Sequence, residues 1–307
     1  MMQQPYQHKP YYFHREGVGF HFLAPPPEDI RAAKYLYGDD PEDALCSILA
    51  HAQEGDFAPC QRLIELMQLH DRATVWYACG KLLAYAAPKS LLQELLATFA
   101  EEVSEEASTA KWLGWILGLS GSLWAVPEML RLFSLHPPGR TLVEKTREWW
   151  IPDYLSLLLE DQDGVIRAGA VPSWPPRDPA WPEWLNSEDL YDPVYDDEGY
   201  RQEVMRRYQA ARSKVADPEQ NAISRGELLS LRRLAQYLLD VLPGRHSIYH
   251  DEEIWLDILE AYTGLDVTSH SEHPPLVVKQ VEQFLAHPGI ERYEPGVRYF
   301  FGHRIPD

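Results

Sequence analysis

His246 and His250 stand four residues apart, Asp251 follows directly, and His270 and His273 come about twenty residues later. On a helix an i, i+4 imidazole pair shares one face, and three such ligands plus a water make a catalytic zinc site. Pro243-Gly244 weakens that helical premise, the zincin spacing is absent and no Cys ligand follows. Solvent-exposed or helix-capping histidines are therefore the expectation, with no metal and no other cofactor, and a metal-dependent hydrolase is kept as the enzyme-class alternative. Nucleophilic chemistry has less to work with. Gly118-Leu119-Ser120-Gly121 lacks the Gly-x-Ser-x-Gly elbow, Gly17-Val18-Gly19 lacks the third glycine of a dinucleotide loop, and there is no Walker sequence.

Binding chemistry is better represented. Between Asp178 and Tyr200 the chain carries Asp178, Glu183, Glu188, Asp189, Asp192, Asp196, Asp197 and Glu198 without a single Lys or Arg. Trp181, Trp184, Tyr191 and Tyr195 are interleaved with them. Aromatic side chains supply the desolvated anchors of protein interfaces, and carboxylates steer a basic partner toward them. The partner-binding set read from this pattern is Glu183, Trp184, Glu188, Asp189, Tyr191, Asp192, Tyr195, Asp196, Asp197 and Glu198. The competing reading is an acidic surface loop pinned to the core by its rings. A second acidic cluster, Glu101, Glu102, Glu105 and Glu106, reads as the end of a helix, where carboxylates oppose the dipole, and so as solvated or partner-facing.

The elements that must position these residues are mainly helical. From Pro41 to Glu160 apolar residues recur at three and four positions, as in Leu63, Leu66, Met67 and in Leu91, Leu92, Leu95, Leu96, Phe99. Asp40, Pro41, Glu42 and Asp43 form a helix start, with further starts near Asp56, Asp71, Pro88 and Ser108. Ala58-Pro59 with Leu63, Glu65 and Leu66 recurs 29 positions later as Ala87-Pro88 with Leu92, Glu94 and Leu95. Paired helices at that spacing imply a HEAT-like α-solenoid of stacked hairpins, with an irregular helical bundle as the alternative.

Residues 164–199 are rich in Pro and Trp, so helix cannot persist there and an ordered, wrapping acidic connection is expected. Helical periodicity returns after 199, with Ser224 and Glu227 at capping-box spacing before Leu228, Leu231, Leu234, Ala235 and Leu238. Two more helices are expected over Asp251–Tyr262 and Pro275–Ala286. Tyr11-Tyr12-Phe13, Phe20-His21-Phe22 and Val297 to Ile305 suit short terminal strands. The expected organisation is one continuous body over residues 1–307. Its parts are an aromatic arm and first helix (1–40), helical hairpins (41–163), the acidic connection (164–199), and C-terminal helices with a terminal aromatic strand (200–307).

Composition sets outer bounds. The 307 residues, 45% apolar and 24% charged, describe a chain that folds. There are 47 Asp plus Glu against 28 Lys plus Arg, a formal net charge of −19, and phosphate-dominated binding needs the opposite sign. Nucleic acid is therefore not an expected ligand, and a basic protein is. Trp112 to Trp124, the longest mostly apolar segment, carries Gly114, Gly118 and Gly121 and is too short for a bilayer. No signal-peptide core is present near the N-terminus, and Cys46, Cys60 and Cys79 sit in helical apolar patterns. Reduced buried thiols, no membrane association and a cytoplasmic location are the expectations.

The helical hairpin pairs from Pro41 to Glu160, and the terminal Gly296-Val297-Arg298-Tyr299-Phe300-Phe301-Gly302-His303 string, resemble the immunity proteins of bacterial polymorphic-toxin systems. That resemblance implies a non-catalytic inhibitor that occludes the active site of a cognate toxin, with a nuclease as one candidate. An intracellular adaptor or assembly scaffold is the alternative within the binding class.

Overall fold

The computed structural model describes residues 11–14, 17–20, 29–135, 150–161, 164–166, 197–245, 248, 250–268 and 273–306. In chain order these form β1 (Tyr11–His14), β2 (Gly17–Phe20), α1 (Ala33–Leu36), α2 (Pro41–Gln53), α3 (Gln61–Leu69), α4 (Ala73–Ala86), α5 (Lys89–Thr98), α6 (Ala100–Glu105), α7 (Ala107–Leu119), α8 (Val126–Leu135) and α9 (Trp150–Leu158). There follow α10 (Asp197–Arg212), β3 (Ile223–Ser224), β4 (Glu227–Leu228), α11 (Leu231–Val241), α12 (His250–Thr263), α13 (Pro274–Ala286), β5 (Tyr299–Phe300) and β6 (His303–Arg304). The described chain is thus mostly α, with strands of two to four residues. Contacts divide it into two units, Met1–Thr98 with Leu228–Asp307, and Phe99–Glu227.

In the first unit Asp40 opens α2 as its sequence requires. Its carboxylate accepts from the Glu42 amide at 2.9 Å, and Pro41 takes the first helical position. Asp56 likewise accepts from the Ala58 amide at the 3-10 turn leading into α3. The repeated leucines do face inward: Leu63, Leu66, Leu92 and Leu95 are all buried. The repeat also carries a polar contact, since Gln61 of α3 donates to Glu94 of α5. α4 is deeply buried, with every residue from Ala78 to Ala86 inside and with α2, α3, α12 and β5 among its neighbours.

The two terminal aromatic segments do not pair with each other. β1 pairs antiparallel with β2 (Tyr11 opposite Phe20, His14 opposite Gly17), and β5 pairs with β6. The β5–β6 turn has Phe301 at φ 49° and Gly302 at φ 80°, a two-residue turn whose twist matches that of the flanking strands. Its amides close α12: Phe301 donates to the Ala261 carbonyl and Gly302 to that of Tyr262, both at 2.7 Å. Arg298 does the same for α4, its guanidinium donating to the carbonyls of Ala84 at 2.5 Å and Ala87 at 2.9 Å. Helix ends leave carbonyls without partners, and one short C-terminal string satisfies two such ends.

In the second unit α7 packs on α8 and α9. Close approach rests on two glycines one turn apart: a Cβ on Gly118 would lie 2.5 Å from the Tyr154 side chain, and one on Gly114 would overlap Ile151. Arg207, buried on α10, bridges Asp161 at 2.8 Å and Glu203 at 2.6 Å and donates to the Glu160 carbonyl. Hydrogen bonds from Arg206 and Arg207, against some burial, hold the Glu203 carboxyl down at about 2.

Two local expectations fail. Ser224 and Glu227 do not cap a helix but flank a hairpin turn with Arg225 at φ 51° and Gly226 at φ 73°. The helix starts instead at Leu231, where the Ser230 hydroxyl accepts from the Arg233 amide, and Leu231, Leu234, Ala235 and Leu238 are buried as its periodicity requires. Glu101 and Glu102 occupy the first turn of α6 rather than a helix end, so they complement the dipole there, and only Glu105 and Glu106 lie at the end.

Candidate functional site

The acidic aromatic segment lies mainly outside the described residues, which include none of Glu183, Trp184, Glu188, Asp189, Tyr191, Asp192, Tyr195 or Asp196. Asp197 is the first residue of α10, its side chain outside the described set. Glu198 is exposed and accepts from Gln202 at 2.8 Å. The second acidic cluster is described in full, and Glu101, Glu102, Glu105 and Glu106 are all exposed.

The histidine constellation is divided. His246 and His270 lie outside the described residues, His250 and Asp251 open α12 with side chains outside the set, and His273 is exposed just before α13. α12 does not extend back to His246, because Ile248 is not helical, so α12 does not supply the i, i+4 face. Among the described residues no three His, Cys, Asp or Glu side chains converge as a metal site. Cys46, Cys60 and Cys79 are buried cysteines outside any disulfide. Burial, with some help from the Asp56 charge, pushes Cys60 up to about 12, and burial pushes Cys79 up as well, so both stay protonated and unreactive.

The polar cluster that the structure assembles is a different one, between α4 and α12. α4 contributes Tyr77 and Lys81, one turn apart, and α12 contributes Glu253, Asp257 and Glu260, spaced along one face. The Lys81 ammonium meets the Asp257 carboxylate at 2.8 Å, with the two side chains 7% and 21% exposed. Glu260, 1% exposed, accepts from both the amide (3.0 Å) and the hydroxyl (2.5 Å) of Thr268, on the segment leaving α12. The seam runs from exposed Glu253 through half-buried Tyr77 and Asp257 to buried Lys81 and Glu260.

The surroundings shift Glu260, Lys81 and Tyr77. Burial, reinforced by the Asp257 charge and opposed by Thr268 and Lys81, lifts the Glu260 carboxyl to about 7. Burial also works against the Lys81 charge, but Asp257, Tyr77 and Glu260 outweigh it and raise the ammonium above its usual value. The Tyr77 phenol is raised by burial and by the carboxylates of Asp257 and Glu253, with Lys81 opposing. Sequence periodicity does not reveal this cluster, yet its signal is present: Lys81 interrupts the apolar run Val75 to Ala87, and Asp257 and Glu260 interrupt Ile254 to Tyr262. A charge at a core-facing helical position implies a buried partner.

Chemically the seam can clamp two helices and can hold or release one proton near neutrality. No family model, no curated protein and no solved structure matches this chain.

Proposed function

We propose that this chain is a non-catalytic protein-binding inhibitor, an immunity protein whose acidic surface occludes the active site of a cognate, basic bacterial toxin domain. The observation that carries the reading is the net charge of −19, a large excess of carboxylates with Glu101, Glu102, Glu105, Glu106 and Glu198 exposed among them. A field of that sign draws in a cationic partner and repels nucleic acid. A nuclease domain fits, because a cleft built to hold phosphate accepts a carboxylate-rich protein surface in its place. In the finer architecture we propose, the hairpins of residues 41–163 stack as HEAT-like repeats, supported by the matched burial of Leu63, Leu66, Leu92 and Leu95. The inhibitor acts in the cytoplasm, where a nuclease toxin would reach its substrate.

Coexpression tests the proposal. Cells expressing a toxin domain encoded beside the gene for this chain should grow when the chain is supplied and die without it. Equal killing in both, or a housekeeping operon in place of a toxin gene, sinks the immunity reading and leaves the adaptor or assembly scaffold.

A further inference from the structure

The seam between α4 and α12 has an unbalanced charge count. Two carboxyl groups, Asp257 and Glu260, share one buried ammonium, that of Lys81, and Lys81 spends its 2.8 Å contact on Asp257. A second ionised carboxylate in the same interior leaves one net negative charge away from water, which is costly. The groups acting on Glu260 come from three directions: Lys81 on α4, Asp257 on its own helix, and Thr268 on the following segment. Other titratable groups around α12, among the described residues, include Tyr77, Cys79 and Tyr85 of α4, Arg232, Arg233, Tyr237 and Asp240 of α11, Tyr299 of β5, the buried Arg298 guanidinium beside Tyr262, and Arg245 paired with Glu252; Glu252 and Glu253 stand on α12 itself.

We propose that the Lys81–Asp257–Glu260 cluster is a proton-operated clasp, in which a proton held on Glu260 keeps the seam neutral and its release loosens α12 and the Gly264–Thr268 segment. With the proton on, the cluster itself carries one ammonium and one carboxylate, those of Lys81 and Asp257. With it off, the extra carboxylate keeps the two hydrogen bonds from Thr268 and the attraction of the Lys81 charge, against its burial and the Asp257 charge. The direction of the pH effect follows. Glu260 ionises at about 7 in the fold and near 4.5 when unfolded, so between those values the folded chain keeps a proton that the unfolded chain has lost. Stability from this group is complete below about 4.5, falls as pH rises toward 7, and is flat above. This inference concerns a seam within one unit and does not rest on the immunity reading.

Denaturant unfolding of the full chain and of Glu260→Gln at pH 5 and 8.5 tests the clasp. Gln keeps the shape and the acceptor for Thr268 but cannot ionise. Relative to this variant, the folded-to-unfolded ratio of the unaltered chain should drop roughly 100-fold across that range. Infrared spectra of the unaltered chain supply a second reading that needs no variant: one protonated carboxyl should persist at pH 6 and vanish by pH 8.5. Parallel pH dependence in the two chains overturns the proposal, as does the absence of a protonated carboxyl at pH 6 should Glu260→Gln fail to fold.

Discussion

Lys81 and Arg298 are charges placed where a leucine would fit the local pattern, and each is answered by atoms far away in the sequence. For Lys81 the answer is Asp257, and breaking a buried pair from one side strands the other charge. Lys81→Met should therefore cost about 3 to 5 kcal/mol, whereas Lys81→Met combined with Asp257→Leu should recover most of that loss, as a double-mutant cycle in urea would read. A surface-like cost below about 0.5 kcal/mol for the single variant would mean that the pair is solvated. This chemistry was only half legible in the sequence. The oddness of Lys81, Asp257 and Glu260 within apolar runs can be read from local pattern, but which charge meets which depends on how α4 and α12 cross, and no periodicity encodes that. The Arg298 guanidinium is hidden for the same reason, since capping another helix leaves no mark at the position of that helix.

At the scale of elements, legibility follows the range of the forces involved. The start of helix α2 was legible because Asp40 and Pro41 act within one turn. The Ser224–Glu227 spacing misled because a Ser-x-x-Glu string fits a capping box and equally fits two strands joined by two residues. Arg225-Gly226, able to take positive φ, decided between them. The Leu63/Leu66 and Leu92/Leu95 pairs were legible because a helical face of leucine must be buried somewhere, and all four are. Truncation to Ala leaves a cavity as well as losing transfer energy, so Leu66→Ala and Leu95→Ala should each cost roughly 2 to 5 kcal/mol by chemical denaturation. Costs below about 1 kcal/mol at both sites would detach them from a shared interior and favour an irregular bundle over stacked hairpins.

For the whole molecule the legible quantity is charge. The excess of 47 acidic over 28 basic side chains can be read without a fold, and it bears on solubility and on the speed and sign of association rather than on architecture. Which carboxylates meet a partner is a finer matter, and the segment with the densest acidic and aromatic content, Asp178 to Tyr200, offers the most direct place to ask. Exposed charge acts mainly by steering and is screened within about 8 to 10 Å at ordinary salt. The decisive measurement is the association rate between this chain and the toxin domain proposed as its partner, as a function of ionic strength, for the unaltered chain and for the triple variant Asp192→Asn, Asp196→Asn, Asp197→Asn. The unaltered chain should associate fast, at a rate that falls steeply with salt, and a variant that still folds should show a slower, flatter dependence. Superimposable curves for the two chains would overturn the proposed acidic interface.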